Sequence, residues 1–170
     1  SIWSLAALVG SAMGPVFITV IGQCMGAKDV DQAKFYFSKL IKWSLVFSIV
    51  WNVLVLAITP CILQFYNLAY ETKHLIFILV IIHNIANTVV FPLSGPLSQG
   101  LRATGDVKFT MIVSIASTVG GRLVLSIILA LKLNLGVIGI ALAMCGDWTI
   151  RAIIFYYRYK SNAWTKFEVI

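Results

Sequence analysis

The chain has 170 residues and a mass of 18.7 kDa; 60% of its residues are hydrophobic, 11% are charged, and the mean hydropathy is +0.95. A soluble domain carries roughly a quarter charged residues, so the composition excludes a soluble globular enzyme, a disordered tail and a disulfide-stapled secreted module. The net charge of +7 does not point to nucleic acid, because the 13 Lys and Arg sit in short clusters between long neutral runs rather than on one basic face.

A spanning helix needs about 20 mostly apolar residues. Five stretches meet that length, at about 2–26, 43–64, 75–99, 109–131 and 135–157, followed by a tail over 158–170. The runs are continuous rather than alternating, which argues against a β-barrel. The expected fold class is all-α, a polytopic transmembrane helix bundle of five spans.

In the first span, Gly10 and Gly14 repeat the spacing of Gly22 and Gly26, a strip that lets another helix approach closely. Gly14-Pro15 predicts a bend. Asp29 fits an N-cap with Gln32 as its reciprocal partner. The segment 33–42 interleaves Lys34, Lys39 and Lys42 with Phe35, Tyr36 and Phe37, and reads as an interfacial amphipathic lead-in to the second span that meets anionic lipid.

The third span holds His83, Asn84 and Asn87. His83 and Asn87 share a face at i,i+4. His83 lies about 14 Å in from His74 at a helical rise, near the bilayer midplane. Hydrogen bonding to neighbouring helices is the plain reading of these groups, and a polar patch lining a transport cavity is the sharper one, because ionisable groups at that depth are functional candidates. Further on, Pro92, Gly95 and Pro96 must break the i→i−4 ladder. A broken helix at membrane depth is tolerated only where it is buried in protein or lines a cavity.

Gly100, Arg102, Gly105 and Asp106 form the next connection, with Gly105 suited to a left-handed helix stop and Asp106 to the N-cap of the following helix. The fourth and fifth spans carry Arg122, Asp147 and Arg151. Arg122 and Asp147 lie at matching depths, about 15 and 18 Å from one surface, on helices joined by a tight turn. The expectation is an Arg122–Asp147 ion pair, with Arg151 one turn beyond Asp147 on the same face. Cation or proton coupling at Asp147 is the alternative. Cys24, Cys61 and Cys145 fall at different depths, which argues against a disulfide.

Counting the connections and the tail, nine Lys and Arg fall on one side and two on the other. The positive-inside rule then places the first and third connections and the tail in the cytoplasm, and the N-terminus outside. Ser1 is not a Met and no basic region precedes the first span, so at least one earlier span is expected. Neither a nucleophile–base arrangement nor a nucleotide-binding motif is present, so an enzyme is not expected.

Three stretches together resemble the multidrug and toxic compound extrusion (MATE) family. They are Ile21–Asp29 with Ala33-Lys34; Gly100–Phe109; and Asp147-Trp148 with Arg151, Arg158–Ser161 and Trp164. The resemblance implies twelve helices in two six-helix lobes, of which this chain looks like helices eight to twelve. The expected partners are then the seventh helix and N-terminal lobe of the same chain, small organic cations and membrane lipid, with no nucleic acid. It implies an antiporter in the cell membrane that expels organic, often cationic, compounds on a Na+ or H+ gradient, by rocking its lobes around a central cavity. Some members carry a coupling carboxylate in the tenth helix; residues 74–101 hold no Asp or Glu here, and Phe91 stands near the expected position. No coupling site is therefore located in this stretch, and no cofactor or metal is expected. A lipid-linked-precursor flippase of the same superfamily, served by Arg122 and Arg151, and a non-transporting scaffold are the alternatives.

Overall fold

The structure, a computed structural model, describes residues 2–65 and 69–167, with side chains from Ser4 onward. The described residues form an all-α bundle with five helices long and apolar enough to cross a membrane. Helix α1 runs Ile2–Gly26 and α2 runs Val30–Phe65; α3 (Tyr70–Ser94) and α4 (Pro96–Ala103) make the third crossing. The fourth consists of α5 (Val107–Ala116), a π-helical stretch Ser117–Leu123, α6 (Val124–Ile127) and a second π-helical stretch Ile128–Lys132. The fifth is α7 (Gly136–Lys160), followed by a 3₁₀ turn Ala163–Lys166.

The opening of α2 shows how the cap and the lysine-rich segment are built. The lysine-rich segment before residue 43 leads into the second span as the opening of one continuous 36-residue helix. Asp29 Oδ1 accepts the Gln32 N–H at 3.0 Å and caps that helix, but the reciprocal bond from Gln32 is not needed. The Asp29 N–H already bonds the Cys24 carbonyl at 3.0 Å, and Lys28 N–H bonds Met25 O at 3.0 Å, with Lys28 at φ 57°. This is a Schellman closure with lysine at its left-handed position. The same closure ends α4: Gly105, at φ 94°, donates to Arg102 O at 3.0 Å, and Asp106 N–H to Leu101 O at 3.2 Å.

The third crossing breaks at Gly95. Pro92 lies inside α3, whereas Pro96 opens α4, where a missing N–H costs nothing. Gly95 N–H still bonds Phe91 O at 2.8 Å, so the chain continues with a changed direction rather than unravelling. In the fourth crossing, Gly120 and Gly121 fall in the first π-helical stretch, and a Cβ on Gly120 would meet nothing within 4 Å. Such wider turns are rare and concentrate at functional sites.

Consecutive crossings alternate in direction, so the 27–29 turn, the 104–106 turn and the end of α7 lie at one end of the bundle, here the tail end. Helix α1 packs on α2, α3 and α4, α2 on α3, α3 on α7, and α7 on the fourth crossing. Gly10 and Gly14 serve this packing: a Cβ on Gly10 would stand 2.6 Å from the Phe91 ring and one on Gly14 2.5 Å from the Gln99 amide. Gly22 and Gly26 have nothing within 4 Å, so the second half of the strip receives no helix among the described residues.

The hydrophobic core lies at the tail end. Phe17 and Ile21 of α1, Phe37 of α2, Leu97 and Leu101 of α4, Phe155 of α7 and Trp164 beyond it are all fully buried. Phe37 holds the cluster together, its ring 6.1 Å from Phe17, 5.4 Å from Tyr159 and 4.9 Å from Trp164. Toward the membrane centre the buried face of α2 turns polar and small, with Ser44, Ser48, Asn52 and Thr59, while Val50 and Val53 face outward. That inversion suits a lipid solvent, in which helices associate through close packing and hydrogen bonds rather than by hiding apolar surface.

Candidate functional site

The middle of the bundle holds a buried polar layer contributed by α2, α3, α7 and the π-helical stretch. Asp147 of α7 is fully buried. Its carboxylate accepts hydrogen bonds from Ser117 Oγ on one oxygen and from Arg151 Nη2 on the other. Arg151 sits one turn along the same helix, which is the geometry an i,i+4 pair allows. Ser117 is the first residue of the π-helical stretch, so the irregular winding begins where its hydroxyl meets Asp147. Pairing and hydrogen bonding together offset the large cost of a charge at this depth.

Arg122 does not join this pair, contrary to the sequence expectation. Its Nη2 donates to the Met144 sulfur at 2.7 Å. Similar depth along the helix axis does not by itself bring two side chains together, because a helix also has an azimuth. Asp147 points toward Ser117, and Arg122, five residues beyond Ser117, projects from a different part of the turn toward Met144. The intramembrane charges therefore divide into a closed Asp147–Arg151 pair and an Arg122 with no carboxylate partner among the described residues.

Helix α3 supplies the rest of the layer. His83 is half-buried, its Nδ1 is 2.8 Å from Leu79 O, and its ring meets Trp148 edge-on at 6.5 Å. Phe91 meets the same indole at 5.1 Å, so Trp148, next to Asp147, is the wall between α3 and α7. Asn84 and Asn87 are buried. Asn84 Nδ2 donates to Val80 O at 3.0 Å, while its Oδ1 has no hydrogen-bond partner, and neither end of the Asn87 amide has one. Asn52 of α2 repeats the pattern, with Nδ2 on Ser48 O at 2.8 Å and Oδ1 unpaired. Asn52 and Asn84 both line a groove of about 210 Å³ between α2 and α3, together with Thr88 and apolar side chains. Unpaired buried amides cost free energy unless water or a ligand completes them. Among the described residues no three His, Cys, Asp or Glu come together to hold a metal ion.

The connection from α4 to α5 lies apart from this layer, at the tail end. Gly100 lets α4 touch the core closely, since a Cβ there would stand 2.7 Å from the Phe37 ring and 2.8 Å from Phe17. Arg102 is exposed and its Nε reaches Thr110 Oγ1 at 3.3 Å. Asp106 stands at the N-cap position of α5 but makes no side-chain cap, contrary to expectation. Its buried carboxylate is taken instead by Arg158 of α7. A two-bond charged pair outweighs one capping bond.

Sequence reasoning reached His83, Asn84, Asn87, Asp147 and Arg151 through depth and helical spacing. It missed Ser117, Asn52, Met144 and the structural part played by Trp164. The stripe of small polar residues every three or four positions in α2 is the signal that marks Asn52. Nothing local to Ser117 announces its partner.

The MatE family model matches residues 1–128. The chain is 25% identical over 160 residues to the uncharacterized transporter YisQ of Bacillus subtilis (strain 168). That alignment covers 92% of this chain and 34% of the relative, so the chain spans about a third of the length of that protein. No solved structure matches.

Proposed function

The chain belongs to the MatE family of membrane transporters, and from that premise we propose that it supplies five helices of one lobe of a cation-driven antiporter for organic, often cationic, compounds. The remainder of the transporter, a further helix and a second lobe, would close the other wall of the cavity. The tail end faces the cytoplasm in this reading, which rests on nine Lys and Arg against two.

One observation carries the proposal: the buried amides of Asn84 and Asn87 lie unpaired at mid-bundle, on the helix that breaks at Gly95. Polar groups left open at membrane depth suit a pathway that passes polar cargo, and a discontinuous helix is where such transporters bind it. Phe91, half-buried and packed edge-on against the buried Trp148, gives an organic cation an aromatic ring to meet. The flippase alternative needs cationic groups free to meet phosphate. Arg151 is committed to Asp147, which leaves that reading to Arg122.

The full-length transporter, reconstituted in vesicles, tests this reading. It should move a dye cation against its gradient when a Na+ or H+ gradient is imposed, and Asn84→Ala with Asn87→Ala should slow that flux. Flux of a lipid-linked phosphate without dye movement would favour the flippase instead.

A further inference from the structure

A second cavity, about 460 Å³, opens at the tail end between α2 and α7, over α3. Lys42 and Lys160 stand at its mouth, and Leu45 and Leu93 line its inner part. Both lysines are exposed, and neither has a carboxylate partner among the described residues. The ion pairs among the described residues are Asp31–Lys34, Asp106–Arg158 and Asp147–Arg151, and none of them takes up Lys42 or Lys160. Lys160 Nζ lies 5.9 Å from the centre of the Tyr156 ring, which holds it beside the opening.

Hydroxyl groups complete the mouth. Ser38 Oγ and Tyr159 Oη are 2.8 Å apart. Whichever of the two donates, the other keeps its own proton to give to an anion. Two ammonium groups and a spare hydroxyl proton fit a phosphodiester.

The location decides which phosphodiester. Lys42 immediately precedes the uncharged run of α2, and Lys160 ends α7, so the mouth lies at the membrane–water boundary. Trp43 and Phe47, exposed and stacked at 5.3 Å on the adjoining face of α2, suit an interfacial belt. Behind the lysines the walls become apolar toward the membrane centre, where a free anion gains nothing and an acyl chain is at home. We propose that this groove binds an anionic glycerophospholipid, its phosphate between Lys42 and Lys160 and an acyl chain along Leu45 and Leu93. Such a lipid would tie α2 to α7 at the tail end, beside the hydrophobic core.

Native mass spectrometry of the full-length transporter, titrated with phosphatidylglycerol or phosphatidylcholine, tests the site. The wild type should retain phosphatidylglycerol preferentially. Lys42→Gln with Lys160→Gln should cut that preference on the order of tenfold, each lysine near a charged surface contributing measurably, while the two-arginine variant at these positions should keep it. Lys34→Gln with Lys39→Gln, on the same end but outside the groove, should keep most of it. Equal loss from the two glutamine pairs would mean diffuse attraction rather than a site and would overturn the proposal. No preference in the wild type, or displacement of phosphatidylglycerol by millimolar inorganic phosphate, would overturn it as well. The readout needs no transport, so failure here leaves the antiporter reading untouched.

Discussion

Arg158 and Asp106, 52 residues apart in the chain, meet through two hydrogen bonds, Nε at 2.7 Å and Nη2 at 3.3 Å. The Phe109 ring covers the guanidinium at 4.4 Å. The pair clamps the 104–106 turn to the last turn of α7, which joins the end of the third crossing to the end of the fifth. The Asp106 side chain is 2% exposed and that of Arg158 26%, which makes the two halves unequal. Arg158→Gln leaves a buried carboxylate alone and should cost about 3 kcal/mol. Asp106→Asn leaves a guanidinium that still reaches water, and should cost about 1–2 kcal/mol. Thermal unfolding in detergent should show that order, with the double variant less destabilised than the sum. Additive losses would mean that the two side chains do not act as a pair.

The Asp147–Arg151 pair makes a similar prediction deeper in the bundle. Asp147→Asn should lower the unfolding temperature, because Arg151 loses its counter-charge where lipid and protein cannot replace it. Adding Arg151→Gln should recover part of the loss. If Asp147→Asn leaves stability unchanged and instead abolishes gradient-driven flux, Asp147 is a coupling group rather than a structural anion.

The glycines separate by what surrounds them. A Cβ on Gly139 would stand 2.7 Å from the Leu129 carbonyl carbon and 2.8 Å from the Ala130 nitrogen, both backbone atoms that cannot rotate away. Gly139→Ala should therefore destabilise most, by about 1–3 kcal/mol or more. Gly100→Ala presses on the Phe37 and Phe17 rings, buried in the core, and should follow. Gly22→Ala and Gly26→Ala should be neutral or slightly stabilising in this chain, since nothing lies within 4 Å. Unfolding temperatures of the four variants check the ranking.

Orientation is open to direct labelling. Single cysteines introduced at Lys132 and Lys166 in an otherwise cysteine-free transporter should react with a membrane-impermeant maleimide in opposite ways. Lys132→Cys should label in intact cells and Lys166→Cys only after permeabilisation. The reverse pattern would invert the topology drawn from charge.

Much of the architecture was legible because its cause is local. Apolar length alone finds the five crossings, and Gly105 announces its positive φ by being the residue that adopts it without strain. Pairings across helices were legible only in part. Arg122 and Asp147 share a depth, but azimuth decides contact, and the π-helical winding at Ser117–Leu123 shifts that azimuth by an amount no residue pattern states. Asp106 looks like a cap from its neighbours, and only the position of Arg158, set by the packing of α7, diverts it. Trp164 enters the sequence reading only as part of the tail motif; its burial against Phe37 requires the whole tail end to be assembled.

The most direct test of the antiporter account is flux of a dye cation through the full-length transporter in vesicles, with and without an imposed Na+ or H+ gradient. Uphill dye movement that collapses with the gradient and slows in Asn84→Ala with Asn87→Ala is the expected result. Dye movement that ignores both gradients, or that is untouched by the loss of both amides, would contradict it.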